Sequence, residues 1–303
     1  MNTEVIKGYL KNIIEDRFVE EDVPMAQYTS FKAGGNARMM ITPQSIEELK
    51  AALRILTEEN CPHMVLGNGS NVLVKDSGYD GAIVRIGSAF DHVRQEGDKL
   101  ICGSGTLMSV VAKAAVSAGL AGFEFASGIP GSIGGAVFMN AGAYDGEISN
   151  ILDRARIVSK DGKREFYMTA EGLQMGYRHT LLHETGDVVA EVELKLAQGD
   201  REEIKAKIAD FTQRRNSKQP VNFPSAGSFF KRPEGYFAGK LIQDAGLKGV
   251  SVGGAQVSEL HSGFIINKGG ATATDILQLM EIVQARVMDE FGVKLETEVR
   301  IIG

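Results

Sequence analysis

The chain has 303 residues, 43% apolar and 24% charged, enough to bury a large core in more than one subdomain, and this balance excludes a disordered protein. Its net charge is −6, and the basic residues are scattered apart from Arg214, Arg215 and Lys218, which argues against a nucleic-acid surface and leaves a small anionic ligand compatible. No window approaches the length of a membrane span, the N-terminal stretch lacks the apolar core of a signal peptide, and Cys61 and Cys102 stand in neither disulfide nor zinc spacing, which fits a reducing cytoplasm. In chain order, MNTEVIKGYLKNIIEDRF reads as an amphipathic helix. Ser45 and Glu48 form a capping box for a second helix carrying Leu49, Leu53 and Leu56, which Asn60 and Pro62 stop. Met64 to Leu66 predicts a strand running into GNGSN at 67–71, and VLV at 72–74 a strand leaving it.

Short strands are expected at 82–86 and 99–102, with GSGT at 103–106 leading into a helix from Leu107 to Ala118, closed by Gly119. A second glycine-rich loop, PGSIGGAVFMNAGAY, follows at 130–144. Residues 155–158 and 164–168 flank an Asp161-Gly162 turn as a hairpin, and 187–196 alternates as a half-exposed strand. A charged helix at 200–216 and an irregular connector from Gln219 to Pro224 place a boundary near 198. The expected division is 1–198, in subdomains of about 1–80 and 81–198, and 199–303. Beyond the boundary come AGSFFKRP at 226–233, a helix near 237–245, and a buried segment from Phe264 to Asn267. A long helix from Asp275 to Phe291 with Thr274 as N-cap and a final strand from Val293 to Ile302 complete an α+β chain.

The two glycine loops carry the first chemistry. Gly67, Asn68, Gly69, Ser70 and Asn71, and Gly131, Ser132, Ile133, Gly134, Gly135 and Ala136, suit a backbone that lays N–H groups against a phosphate. Either loop alone reads equally as a tight turn; two in one chain favour a nucleotide cofactor. A βαβ dinucleotide fold would set its glycines between strand and helix, and a P-loop would end in Gly-Lys-Ser/Thr; neither pattern is present. Arg178, in a polar Tyr177-Arg178-His179-Thr180 stretch, offers a fork for a carboxylate, or decorates a surface. His179 and His183 have i,i+4 spacing without an acid between them, so metal binding is the weaker reading. Ser228, between Gly227 and two phenylalanines, is a proton donor in a dry setting or a turn serine. Alternation in the last strand puts Glu296, Glu298 and Arg300 on one face, a solvated edge or a cleft with a tuned carboxyl. Arg215 and Lys218 make a basic helix end or a diphosphate clamp.

Together these segments resemble the bacterial UDP-N-acetylenolpyruvoylglucosamine reductases, flavoenzymes known as MurB. The matching stretches are TSFKAGGNA at 29–37, VLGNGSNVLV at 65–74, FASGIPGSIGGAVFMNAGAY at 125–144, GYRHT at 176–180, AGSFFKRP at 226–233 and LETEVRIIG at 295–303. The short connection after Arg178 resembles the second type of the family. The resemblance implies an FAD-binding fold of the vanillyl-alcohol oxidase type in two subdomains, followed by a substrate-binding domain. It implies non-covalent FAD in the two glycine loops and NADPH as co-substrate. Hydride passes by way of flavin N5 to the vinyl carbon of UDP-N-acetylglucosamine enolpyruvate, giving UDP-N-acetylmuramate for peptidoglycan. Matching positions make Arg178, Ser228 and Glu298 catalytic: Arg178 and a protonated Glu298 stabilise the enolate, and Ser228 supplies the proton. Tyr144, Arg215, Lys218 and Arg232 are implied contacts of the UDP-sugar, although many relatives carry asparagine at the place of Arg232. A cytoplasmic protein without nucleic-acid, membrane or obligate protein partner is expected. The rival readings are another flavin oxidase or dehydrogenase of the same fold, and a flavin-binding regulator without turnover.

Overall fold

The computed structural model describes residues 3–303. Two compact units are woven from separated stretches. The first holds residues up to Glu21, Arg38–Asn68 and Gly81–Gln213, and the second Asp22–Ala37, Gly69–Asp80 and Arg214–Gly303. This division differs from a cut near 198. Phe31, Ala33 and Leu73 are buried in one cluster with Phe229, Leu241 and Ile276, so short early stretches fold with the C-terminal residues.

In the first unit, α1 (Thr3–Leu10) is shorter than the helix expected from the pattern, and a 3-10 turn at Asp16–Phe18 follows it. Met1 and Asn2 lie outside the described residues. Helix α2 (Ile46–Glu58) starts after Ser45 as expected, but only half of the capping box forms: Ser45 Oγ accepts Glu48 N–H, while the Glu48 carboxylate takes the N–H of Gln44 at 2.8 Å instead of that of Ser45. Leu49, Leu53 and Leu56 are buried against Ile6, Leu10, Met39 and Val84. The sheet beside them has the strand order Val19–Pro24, Asn36–Ile41, Tyr79–Arg85, His63–Leu66. Neither of its first two strands alternates throughout, as Val19–Pro24 buries only Val19 and Val23 and Asn36–Ile41 ends in three buried residues in a row, and the sequence reading missed both.

A second core in this unit is built on the sheet Glu165–Met168, Leu152–Val158, Val188–Lys195, Lys99–Gly103, Val93–Glu96, antiparallel throughout. Helices α3 (Met108–Ala118) and α4 (Ile133–Phe138) bury Val111, Ala115, Ile133 and Val137 in it, and the hairpin at Asp161-Gly162 forms as expected. Two further helices, α5 (Leu182–Thr185) and α6 (Arg201–Lys218), follow.

The second unit packs α7 (Ala238–Asp244) and α8 (Ala273–Phe291) with the antiparallel strands Ser251–Val252, Ala255–Val257 and Ile265–Asn267. The α8 cap is Thr272 rather than Thr274: Thr272 Oγ1 accepts Asp275 N–H and the Asp275 carboxylate returns a bond to Thr272 N–H. Thr274 lies in the first turn, where its N–H and hydroxyl both donate to Asp76. The expected ten-residue final strand is also corrected. Only Arg300–Ile302 is a regular strand, parallel to Val72–Val74; upstream, a single bridge pairs Thr297 with Phe230.

Candidate functional site

Both halves of the expected cofactor cradle can be followed within the first unit. Strand His63–Leu66 delivers Gly67, and Ser132 stands just before the start of α4 without a side-chain cap bond; a Cβ on Gly67 would collide with Ser132 Oγ, so the two glycine loops meet there. The Ser132 and Ser104 hydroxyls are buried and make no hydrogen bond. Two orphaned donors beside closely packed glycine backbone fit a polar ligand that supplies acceptors. The GSGT stretch anchors this loop: Ile133 N–H donates to Thr106 O at 2.8 Å and Gly134 N–H to Ser104 O at 2.9 Å. Those two amides, expected to face the cofactor, are therefore engaged in the protein. The N–H groups of Gly67, Asn68, Gly131 and Ser132 carry no hydrogen bond among the described residues.

GNGSN crosses from the first unit to the second between Asn68 and Gly69. Gly69 has φ +64°, and a Cβ there would strike the Tyr28 carbonyl, so glycine is required on both counts. The loop is strand-loop-strand as expected, yet its two strands belong to different sheets. Asn71, grouped with the cofactor contacts in the sequence reading, sends Nδ2 to Glu298 O at 3.1 Å, and its own carbonyl accepts Arg300 N–H at 3.0 Å.

Arg178, in the first unit, has φ +52°, a left-handed conformation uncommon for a branched chain of its size. Its guanidinium donates to Gly142 O at 2.8 Å and Asn140 O at 3.4 Å. The flanking residues are lashed to the same stretch: Thr180 Oγ1 donates to Phe138 O at 2.8 Å and Asn140 Nδ2 to Gly176 O at 2.9 Å. The tail of the second glycine loop and the GYRHT segment are thus one construction. His179 lies 3.2 Å from Glu184 and stacks on His183, whose ring packs 4.1 Å from Phe138. Tyr144 stacks face to face on Phe211 at 4.3 Å, with its hydroxyl on the Phe211 carbonyl at 3.1 Å.

In the second unit the Glu298 segment pairs through its backbone with the residues that follow Ser228. Lys231 N–H donates to Glu296 O at 2.8 Å and Glu298 N–H to Phe229 O at 2.9 Å, which sets Glu298 opposite the residue after Ser228. Phe229 is fully buried, making an edge contact with Phe31 at 6.1 Å, and Ser228 is half-buried between it and Gly227, which has φ +78°. Glu298 is half-buried, whereas the Glu296 side chain is 66% exposed and faces Lys231 at 3.8 Å. Arg215 and Lys218 lie in the last turn of α6, and Arg232 lies over the Phe237 ring at 3.9 Å. Directly after Lys218 opens a cavity of about 210 Å³ lined by Asn216, Gln219, Val221, Gln256, Ser258 and Ile266, among others. Gln219 Oε1 is buried there without a hydrogen-bond partner.

Sequence reasoning missed Asn140, whose only signal was a polar residue enclosed in an apolar run, VFMNAGA. Among the described residues no group of three or more histidine, cysteine or acidic side chains is placed to hold a metal, and no helix is long and apolar enough to cross a membrane.

Two family models match the chain: an FAD binding domain over residues 37–165, and the C-terminal domain of UDP-N-acetylenolpyruvoylglucosamine reductase over 219–302. A reductase of that name from Alkaliphilus oremlandii is 48% identical over 300 residues, covering 98% of each chain. One from Clostridium perfringens is 50% identical over 295 residues, covering 96% of each. The crystal structure of the MurB enzyme from Thermus caldophilus superposes with a TM-score of 0.82 at 37% identity, covering 94% of this chain and 99% of that one. The expected α+β architecture, an FAD-binding domain followed by a substrate-binding domain, agrees with both findings. With likeness of this strength along nearly its whole length, the chain belongs to the UDP-N-acetylenolpyruvoylglucosamine reductase family.

Proposed function

We propose that the protein reduces UDP-N-acetylglucosamine enolpyruvate to UDP-N-acetylmuramate for peptidoglycan synthesis, with FAD as cofactor and NADPH as the source of reducing equivalents. Identity of 48–50% over 96–98% of its relatives' length carries this reading. The residues present fit the cofactor: the N–H groups of Gly67, Asn68, Gly131 and Ser132 would hold its phosphates, with the orphaned Ser104 and Ser132 hydroxyls as further donors. When bound there, FAD would supply the hydride-transfer chemistry that links NADPH to the substrate's vinyl carbon.

The chain's own residues supply the polar half of the reaction. Hydride arrival at the terminal vinyl carbon pushes charge onto the attached carboxylate, and only groups that bind this charge more strongly as it develops speed the step. Arg178 would grip the carboxylate, its guanidinium already oriented by the carbonyls of Asn140 and Gly142. Glu298, protonated, would donate a hydrogen bond to the same charge. Ser228 would give its hydroxyl proton to the carbon that bears the carboxylate and regain one from solvent. The choice of Glu298 over Glu296 is supported by the exposed ion pair of the latter. Tyr144, Arg215, Lys218 and Arg232 would serve the UDP-sugar, and the cavity after Lys218, whose lining mixes Val221, Phe223 and Leu260 with amide side chains, would take its nucleotide part. Dependence on NADPH places the reaction in the cytoplasm.

Ser228→Ala tests the assignment. Bleaching of the flavin by NADPH should stay within about twofold of wild type, while reoxidation by the enolpyruvyl substrate slows about 100-fold or more. Equal slowing of both half-reactions would contradict the proton-donor role.

A further inference from the structure

Asn140 is fully buried and has φ +41°, a left-handed backbone that asparagine adopts more readily than most residues. Its amide is used at both ends: Nδ2 donates to Gly176 O at 2.9 Å, and Oδ1 accepts Ser149 N–H at 3.0 Å. Its carbonyl, together with that of Gly142, receives the Arg178 guanidinium. One side chain therefore ties the end of α4 to the foot of the Arg178 turn, and the same residue's backbone meets the tip of the arginine. Gly176 and His179 close that turn by pairing with each other at 2.9 and 3.2 Å, so a displacement of Gly176 carries Arg178 with it.

We propose that Asn140 is the positioning residue of Arg178, fixing where the guanidinium stands for a substrate carboxylate; this rests on the reading of Arg178 as the carboxylate-binding group. The residue type follows from the demands of the position. Aspartate has no donor for Gly176 O and would bring a charge into a fully buried place. Alanine loses both amide bonds and strains at this φ. Glycine tolerates the φ and keeps the carbonyl for Arg178, but removes the bracket to Gly176 and Ser149, which makes Asn140→Gly the informative variant.

The test is a double-mutant cycle on the FAD-loaded enzyme, with Asn140→Gly, Arg178→Lys and the double variant, following anaerobic bleaching by NADPH and reoxidation by the enolpyruvyl substrate. Asn140→Gly is expected to leave bleaching within about twofold, slow reoxidation about 100-fold and raise the substrate KM, as a misplaced binding group does. The double variant should be no more than about twofold slower than Arg178→Lys alone, because Asn140 acts through that arginine. Normal reoxidation in Arg178→Lys would overturn the reading of Arg178 itself. A slow Arg178→Lys beside a near-normal Asn140→Gly would overturn the positioning role alone. Additive losses, or bleaching slowed as much as reoxidation, would make Asn140 a residue of the fold and overturn it as well.

Discussion

Glu298 is clamped at its backbone from two directions: its N–H is held by Phe229 and its carbonyl by the Asn71 side chain. Such a frame fixes the backbone from which the carboxyl projects. Glu298→Ala is expected to slow flavin reoxidation by the enolpyruvyl substrate about 100- to 1000-fold, the range seen when one donor to a developing oxyanion is removed. Glu296→Ala should stay within about twofold, because an exposed ion pair contributes little. Stopped-flow absorbance distinguishes them, and comparable losses in both would contradict the assignment. Cys102 lies at the other extreme of exposure. Burial, with help from the Glu191 charge, pushes its thiol up to about 12, so native protein at pH 8 should leave it unreacted with iodoacetamide, with labelling only after unfolding in urea. At this scale the sequence was legible for residue types and less so for partners. Nothing in GNGSN shows that Asn71 turns its amide toward Glu298, a residue 227 positions away. Nothing in MNAGAY shows that its asparagine is the buried hub of the Arg178 turn.

Helix α8 shows how elements are fixed. Beyond the Thr272–Asp275 capping box, the Asp76 carboxylate accepts Ala273 N–H at 2.9 Å, Thr274 N–H at 2.7 Å and the Thr274 hydroxyl at 2.6 Å. Asp76 follows the strand that leaves GNGSN, so the helix start is pinned to the chain just beyond the loop. Burial opposes ionisation of Asp76, but the bonds from Thr274 and Ala273 outweigh it and hold its carboxyl below the usual carboxylate range. Because the folded value is depressed, the stabilisation is present above the unfolded value and fades as pH falls through the folded one. Asp76→Asn should cost about 1 kcal/mol in urea unfolding at pH 7, and the gap to wild type should close as the pH falls below the ordinary carboxylate range. An unchanged midpoint at pH 7 would contradict the cap. Helices with strong start signals, such as α2 with Ser45 and Glu48, were legible to within a residue. The last strand was not: alternation over 293–302 promised a continuous ladder, but Pro233 stops the Phe230 segment after a short pairing. Strand Asn36–Ile41 was hidden for a different reason, since its last three residues, Met39, Met40 and Ile41, are all buried and break the period of two.

For the molecule as a whole, the limit on sequence reading was the weave of the chain. A composition shift near 198 is visible, but assignment of 22–37 and 69–80 to the C-terminal unit depends on apolar contacts such as Phe31 with Phe229, which no local pattern records. The same weave draws GNGSN across the boundary between Asn68 and Gly69, so the residues expected to hold the cofactor are divided between the two units. Arg178 belongs to one unit, and Ser228 and Glu298 to the other. Anaerobic visible spectroscopy of the purified holoenzyme tests the proposed reduction. The flavin absorbance should bleach on adding NADPH and return on adding UDP-N-acetylglucosamine enolpyruvate, in step with formation of UDP-N-acetylmuramate. A flavin that bleaches and stays bleached with that substrate, or that NADPH does not bleach, would contradict the account.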